Sequence, residues 1–183
     1  MKLLYNKKFS NIYEKNNTIH KSVKVYSIPD LKDLWHITYK KRYCNNENFV
    51  NVLKTYNQYL IMEKIEGPTL EEYLKSSKFN DLSLLTKNNI IKKIIKSYKK
   101  ITSDIVLKPI KVIVDDKCYK YIFYHDNLDG FDNYIINNKY ELVLIDPNAF
   151  NFFNIENIDE MHNLERCKWK RDQTLYKLNK LLS

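Results

Sequence analysis

Residues 124–148, YHDNLDGFDNYIINNKYELVLIDPN, decide how the rest of the chain is interpreted. Asn133 and Asp146 stand thirteen residues apart, each at the edge of an apolar run. The runs 134–136 and 142–145 are separated by a turn that contains two asparagines, and this pattern predicts a β-hairpin. Such a hairpin brings the amide of Asn133 and the carboxylate of Asp146 to one end.

Two oxygen-bearing side chains at one end of a hairpin suit a hard divalent cation. Mg²⁺ prefers oxygen ligands, and proteins usually hold it with one or two groups together with substrate phosphates. Asn133 and Asp146 are therefore candidate metal ligands, and the pattern favours a site that binds a nucleoside triphosphate for phosphoryl transfer. Both residues also have a purely structural interpretation, because Asp-Pro commonly opens a turn and Asn is frequent in loops.

The composition bounds the class of protein. A chain of 183 residues that is 44% hydrophobic and 14% aromatic can form one packed domain or two small lobes. The formal charge of +9 comes from Lys and Arg residues scattered over nearly every segment, which indicates a general attraction to anions. A specific nucleic-acid partner is the weaker interpretation, although it stays open.

The three cysteines and the absence of a long apolar run suggest a location. Cys44, Cys118 and Cys167 have no CxxC spacing, and their odd number does not suit a disulfide framework. No apolar run approaches the length of a membrane span. We therefore expect a soluble protein of a reducing compartment, the cytoplasm of its own cell or of a host cell, with no membrane partner.

Periodicity predicts a strand-rich first part, 1–65, and a helical second part, 66–183. The first part is predicted to contain strands at 3–5, 11–14, 18–26, 49–53 and 58–65, and a helix at 30–43. The helical spacing places Leu31, Leu34, Trp35 and Thr38 on one side of that helix. In the second part Thr69 is predicted to cap a short helix. Longer helices are predicted at 82–101 and 157–182, and a second hairpin at 110–114 and 119–124.

In several places the residues resemble the protein-kinase-like superfamily, in the order of that family. Val23-Lys24-Val25 resembles the strand whose Lys holds the α- and β-phosphates of the nucleotide. Residues 59–67, YLIMEKIEG, resemble the strand and hinge that contact adenine, so the resemblance assigns Met62, Glu63 and Lys64 to cofactor binding.

The catalytic segments of the family have counterparts near the opening stretch. His125-Asp126-Asn127-Leu128, together with Asn133, resembles the catalytic loop. Asp146-Pro147-Asn148 stands where the family has its metal-binding Asp-Phe-Gly, and the separation of thirteen residues is the usual one. Taken singly, His125 suits a hydrogen-bonded structural histidine better than a catalyst.

The resemblance implies an α+β, protein-kinase-like bilobal fold, with a strand-rich N-lobe (1–65) and a truncated helical C-lobe (66–183). It implies a phosphotransferase that uses ATP and Mg²⁺, of the size of compact kinases and pseudokinases of bacterial effector or phage type. Lys24 would orient the phosphates, Asn133 and Asp146 would hold the metal, and Asp126 would act on the acceptor hydroxyl. A protein Ser/Thr kinase is the first interpretation, with a protein substrate.

Departures from the family pattern keep alternatives open. The segment 6–13 has none of the glycines of a phosphate-covering loop. The predicted helix 30–43 lacks an obvious Glu to pair with Lys24, and Asp33 and Glu47 are the available acids. Asn127 falls where the base Asp is expected, so the base is Asp126, Asp129 or absent. A pseudokinase that binds a protein partner and a small-molecule kinase are therefore alternatives.

Overall fold

The computed structural model describes residues 2–7, 10–22, 29–56, 59–105, 108–114 and 116–182. The chain divides into two compact units, Met1–Ile65 and Glu66–Ser183. Both units combine helices with antiparallel strands, which confirms the α+β class. None of the helices within these ranges is both long enough and apolar enough to cross a lipid bilayer.

Within the described residues, the first unit consists of five strands and one helix: β1 Lys2–Lys7, β2 Ser10–Lys15, β3 Thr18–Ser22, α1 Pro29–Tyr43, β4 Val52–Thr55 and β5 Tyr59–Glu63. The strands form one antiparallel sheet in the order β1-β2-β3-β5-β4. Asn16 and Asn17 join β2 to β3 with φ values of 50° and 59°, a tight-turn backbone that Asn adopts more readily than most residues. The first hairpin, the helix and the β4–β5 pair confirm the predicted elements, whereas Lys24 lies outside the described residues.

An aromatic ladder along α1 forms much of the core of the first unit. Trp35, Tyr39 and Tyr43 recur every four residues, so the helix places them on one face. The rings of Trp35 and Tyr39 stack with centroids 5.3 Å apart, and Tyr43 stacks on Phe49 at 4.5 Å. The Tyr39 hydroxyl donates to the backbone oxygen of Val50 at 2.9 Å, so the ladder also fixes the segment that leads into β4.

Within the described residues, the second unit contains four α-helices and two antiparallel sheets. The elements are α2 Leu70–Lys75, α3 Ser77–Asn80, α4 Leu84–Asp104, β6 Ile110–Val114, β7 Lys117–His125, β8 Tyr134–Ile136, β9 Leu142–Leu144, β10 Phe150–Asn154 and α5 Ile158–Asn179. β10, β7 and β6 form a three-stranded sheet in that order, and β8 and β9 form a hairpin.

This unit contains more strand than the expected helical lobe. Both predicted hairpins and both long helices are confirmed, but α3 and β10 were not predicted. β10 forms because Phe150 and Phe152 pack on Phe123 of β7, with ring centroids 5.1 and 4.8 Å apart. A strand of the three-stranded sheet therefore begins four residues after Asp146.

The two long helices of this unit are amphipathic and pack against each other. α4 buries an apolar stripe with helical spacing, and its lysines lie on the other side. The buried stripe of α4 consists of Ile90, Ile91, Ile94, Ile95, Tyr98 and Ile101, and α5 contributes Leu164, Cys167, Thr174 and Leu178.

A glycine turn connects α2 to the β8–β9 hairpin. Gly67 has φ 139°, and a Cβ at this position would lie 2.7 Å from the backbone oxygen of Ile136. The backbone N–H of Ile136 donates to the oxygen of Pro68 at 3.0 Å. Thr69 then caps α2: its hydroxyl oxygen accepts from the Glu72 N–H, and the Glu72 carboxylate accepts from the Thr69 N–H, which is a capping box. The predicted N-cap is thereby confirmed.

Candidate functional site

The β8–β9 hairpin brings Asn133 and Asp146 to the same end. Tyr134 pairs with Leu144 in the ladder, so Asn133 immediately precedes one strand and Asp146 follows the other by two residues. The backbone N–H of Ile145 donates to the oxygen of Asn133 at 2.8 Å, which extends the pairing past the last ladder residues. The hairpin predicted from the sequence is confirmed.

Asn133 presents an amide oxygen that no hydrogen bond within the described residues uses. The residue is only 6% exposed, and its side-chain Nδ2 donates to the backbone oxygen of Asn127 at 2.8 Å. This bond fixes the orientation of the amide, so the acceptor Oδ1 points elsewhere. Within the described ranges Oδ1 accepts no hydrogen bond, and it remains available to a donor or a cation.

His125 ties the loop that follows β7 to Asp146. The ring is fully buried and packs edge-on against Phe150, with centroids 4.9 Å apart. Its Nδ1 accepts from the backbone N–H of Asn127 at 3.2 Å, so the ring proton is on Nε2. Nε2 then donates to the backbone oxygen of Asp146 at 2.9 Å. His125 is a structural histidine that positions its neighbours, as its single-residue interpretation predicted.

The carboxylates of the two candidate bases are both engaged by other side chains. The backbone N–H of Asp126 donates to the oxygen of Ala149 at 2.7 Å, and its carboxylate accepts a hydrogen bond from the side-chain amide of Asn151. The Asp129 carboxylate lies 3.6 Å from the Nζ of Lys170. Asn151 was not predicted as a site residue, because its contact depends on β10.

Two buried tyrosines hold the middle of the same loop. The hydroxyl of Tyr134 donates to the backbone oxygen of Leu128 at 2.9 Å. The hydroxyl of Tyr98, on α4, lies 3.3 Å from the same oxygen and 3.3 Å from the oxygen of Arg171. Burial is the main reason why the pKa of each phenol lies above its ordinary value. Both hydroxyls therefore stay protonated and can donate a hydrogen bond.

The side chains of the predicted hinge are used within the first unit. Met62 is buried in β5, where it pairs with Ile19 and Val52 in the sheet. Glu63 accepts from the backbone N–H of Asn51 at 2.8 Å, and Lys64 forms an ion pair with Glu14 at 2.9 Å. The predicted contact with adenine involves backbone groups of Met62, Glu63 and Lys64, and it stays a prediction.

The two acids nearest to a pairing role for Lys24 have defined positions, although Lys24 itself lies outside the described residues. Asp33 is exposed on α1, and Glu47 is exposed in the turn between α1 and β4. α1 itself contains no Glu, Asp33 is only a loose candidate and Glu47 lies beyond the end of the helix, so no partner is assigned to Lys24.

The donor chemistry at the end of the hairpin fits the proposed cation. Over the described part of the chain, no group of three or more His, Cys, Asp and Glu residues is arranged to hold a metal ion. Asn133 and Asp146 supply two oxygen ligands, one neutral and one anionic. Proteins commonly hold Mg²⁺ with one or two such ligands when substrate phosphates and water complete the coordination shell.

Comparison with protein-family models and with curated proteins finds no match to this sequence. The resemblance to the kinase-like superfamily therefore rests on the residues themselves.

Proposed function

We propose that the chain is a phosphotransferase that depends on ATP and Mg²⁺ and resembles a minimal protein Ser/Thr kinase. The observation that supports this best is the position of Asn133 and Asp146 at one end of the β8–β9 hairpin. Because the Asn133 amide oxygen accepts no hydrogen bond within the described residues, it can coordinate a cation without breaking an existing contact. The Asp146 carboxylate supplies the negative charge.

The remaining roles follow the resemblance. Lys24 orients the α- and β-phosphates, and the backbone at Met62, Glu63 and Lys64 contacts the base. Asp126 acts on the acceptor hydroxyl, and the hydrogen bond from Asn151 fixes the direction of its carboxylate. Transfer of this kind depends mainly on positioning and charge stabilisation, so a small scaffold is sufficient.

A thermal-shift titration tests the metal–nucleotide site. Mg²⁺ and ATP added together should stabilise the protein by more than the sum of their separate effects. A ligand present at a hundred times its Kd raises the free energy of unfolding by about 2.7 kcal/mol. Asp146→Asn keeps the shape of the side chain and should abolish the Mg²⁺-dependent part. Asp116→Asn is the matched control, because Asp116 is exposed and its φ of 60° is tolerated by Asn. An equal shift in both variants would remove Asp146 from the metal role.

Transfer itself is measured with γ-labelled ATP and a mixture of Ser- and Thr-containing peptides. Asp126→Asn should leave the Mg²⁺–ATP shift intact and lower transfer by about 10²-fold or more, the typical contribution of a general base. Unchanged transfer in this variant would exclude Asp126 as the base.

A pseudokinase that binds a protein partner is the second candidate, and the engaged carboxylates favour it. Asp126 is held by Asn151, Asp129 lies close to Lys170, and Asn127 stands at the position of the expected base. This candidate predicts a nucleotide-induced shift without transfer. It also predicts that Asn127→Asp introduces measurable transfer, whereas an active wild-type protein would contradict it.

A further inference from the structure

The outward face of α5 carries two large aromatic side chains in open solvent. Trp169 is 60% exposed and Tyr176 is 55% exposed. They are seven residues apart, which is close to two helical turns, so they lie on the same face about 10.5 Å apart along the axis. Trp and Tyr are usually more deeply buried than this, and exposed aromatic rings are enriched at binding surfaces.

The same face carries cations that have no acidic partner among the described residues. Arg166, Lys177 and Lys180 lie with the two rings within an arc of about 100° around the helix. In the part of the chain that the structure describes, Arg166 and Lys177 form no ion pair, and the Nζ of Lys180 lies 4.6 Å from the centroid of the Tyr176 ring. We refer to Arg166, Trp169, Tyr176, Lys177 and Lys180 as the α5 stripe.

The unpaired cations of the α5 stripe differ from the other cations of the same helix segment. Those neighbours are each compensated by a carboxylate. They are Lys168 with Glu165 at 2.5 Å, Lys170 with Asp129 at 3.6 Å and Arg171 with Asp172 at 2.9 Å. Positive charge is therefore left uncompensated on the face that also presents the rings.

We propose that the α5 stripe binds single-stranded nucleic acid, with bases stacked on Trp169 and Tyr176 and phosphates paired with the three cations. Proteins that bind single strands of any sequence combine aromatic rings, on which the bases stack, with cations that pair with the phosphates. The stacking tolerates any sequence because every base has a π face. The formal charge of +9 favours the approach of a polyanion. This inference rests on α5 alone and does not depend on phosphoryl transfer.

An acidic peptide is the competing occupant, and the shape of the stripe disfavours it. A peptide gains most of its affinity by inserting side chains into a groove or by adding a strand to a sheet edge. Trp169 and Tyr176 instead lie exposed on one face of a single helix, and the surface of a helix is convex. Aromatic rings have flat faces. Such surfaces match bases better than they match Asp and Glu side chains.

The test measures anisotropy of a labelled twelve-nucleotide deoxythymidine strand and of an abasic strand of the same length. Wild-type protein should bind the thymidine strand more tightly, because only that strand can stack. Trp169→Ala with Tyr176→Ala should weaken its binding by about 10-fold or more while leaving the abasic strand little affected, and Trp169→Phe should retain most of the affinity.

Charge variants test the phosphate contacts. Arg166→Ala with Lys177→Ala should reduce the slope of log K against log salt by about 1.4, since each phosphate contact on a single strand contributes about 0.7. Lys92→Ala with Lys99→Ala is the matched control, because both lysines are exposed on α4 and form no ion pair within the described ranges. This control double variant should bind the thymidine strand as tightly as the wild-type protein does.

Three results would overturn the proposal. Equal affinity for the thymidine and abasic strands would show that no base stacks on the rings. Equal losses in the α4 control and in the stripe variant would show that the charge of the whole protein, rather than the stripe, holds the strand. Tighter binding of a labelled twelve-residue polyglutamate than of either strand, lost in the stripe variants, would assign the surface to an acidic protein. All the substituted positions are exposed, and circular dichroism checks that each variant is folded.

Discussion

The two hydroxyls that meet at the Leu128 oxygen allow a quantitative test of how the candidate catalytic loop is held. Tyr134 donates to this oxygen at 2.9 Å, and the hydroxyl of Tyr98 lies 3.3 Å from it. Leu128 and both rings are buried, so water does not readily replace a lost donor. Replacing either Tyr by Phe removes one hydroxyl and keeps the ring.

The shared acceptor makes the two substitutions non-additive. In each single variant the Leu128 oxygen keeps one donor, so the loss is that of one net hydrogen bond, about 0.5–1.5 kcal/mol. Tyr134→Phe should cost more than Tyr98→Phe, since the distance of 2.9 Å is the better hydrogen bond and the Tyr98 hydroxyl is shared with the oxygen of Arg171. The double variant leaves the oxygen without either donor, which adds about 1–3 kcal/mol for a buried orphaned group.

The cycle is measured as the free energy of unfolding in urea, followed by far-ultraviolet circular dichroism. α4 and α5, with 21 and 22 residues, contribute most of the helical signal, so the probe reports the second unit. We expect a coupling of about 1–2 kcal/mol between the two positions. Costs that add within about 0.5 kcal/mol would refute the shared acceptor, because independent sites add to that accuracy.

Three further predictions concern the same unit. Gly67→Ala should lower the free energy of unfolding by about 2 kcal/mol, because φ is 139° and the new Cβ would lie 2.7 Å from the Ile136 oxygen; a neutral effect in urea would contradict this close approach. His125→Phe removes both ring-nitrogen hydrogen bonds and should cost about 1–3 kcal/mol by the same measurement, whereas a loss below about 0.5 kcal/mol would argue against the assigned bonds. Burial raises the pKa of Tyr124 in the folded protein to about 12, above the value of about 10 in the unfolded chain. The stabilisation from this difference is complete below about pH 10 and is lost as the pH rises to about 12. Unfolding measured across that range should show a shallower decline in Tyr124→Phe, and an identical decline would exclude this residue as a cause.

Local patterns in the sequence predict most of the secondary structure. The isoleucines of α4 recur at helical spacing, and Asn-rich turns separate the strands of two hairpins, so each element is indicated within its own residues. β10 was missed because its pairing is non-local: Phe150 lies opposite His125 in the ladder. The alternation at 150–152 is a strand signal, but Phe153 interrupts it, and the preceding Asp-Pro sequence indicates a turn.

The candidate site was likewise predictable only where its contacts are local in the sequence. The association of Asn133 with Asp146 follows from one hairpin and could be predicted from the spacing. The contacts that hold the loop between β7 and β8 come from distant parts of the chain. Asn151 reaches Asp126 only because β10 pairs with β7, and Tyr98 reaches Leu128 only because α4 packs beneath the loop. Neither contact has a local signature.

The loop between β7 and β8 is fixed mainly through its backbone, and this has a consequence for any ligand. Side chains already bind the N–H and the oxygen of Asn127 and the oxygens of Leu128 and Asp146. The three carbonyl oxygens, which could otherwise contact a cation, therefore each accept a hydrogen bond already, and the Asn127 N–H is unavailable to a phosphate. In the proposed function a cation at this end of the hairpin is held by the side-chain oxygens of Asn133 and Asp146. Because the hydrogen bonds that orient Asn133 exist before a ligand arrives, binding requires little ordering of the loop, and less of the interaction energy is lost to conformational entropy.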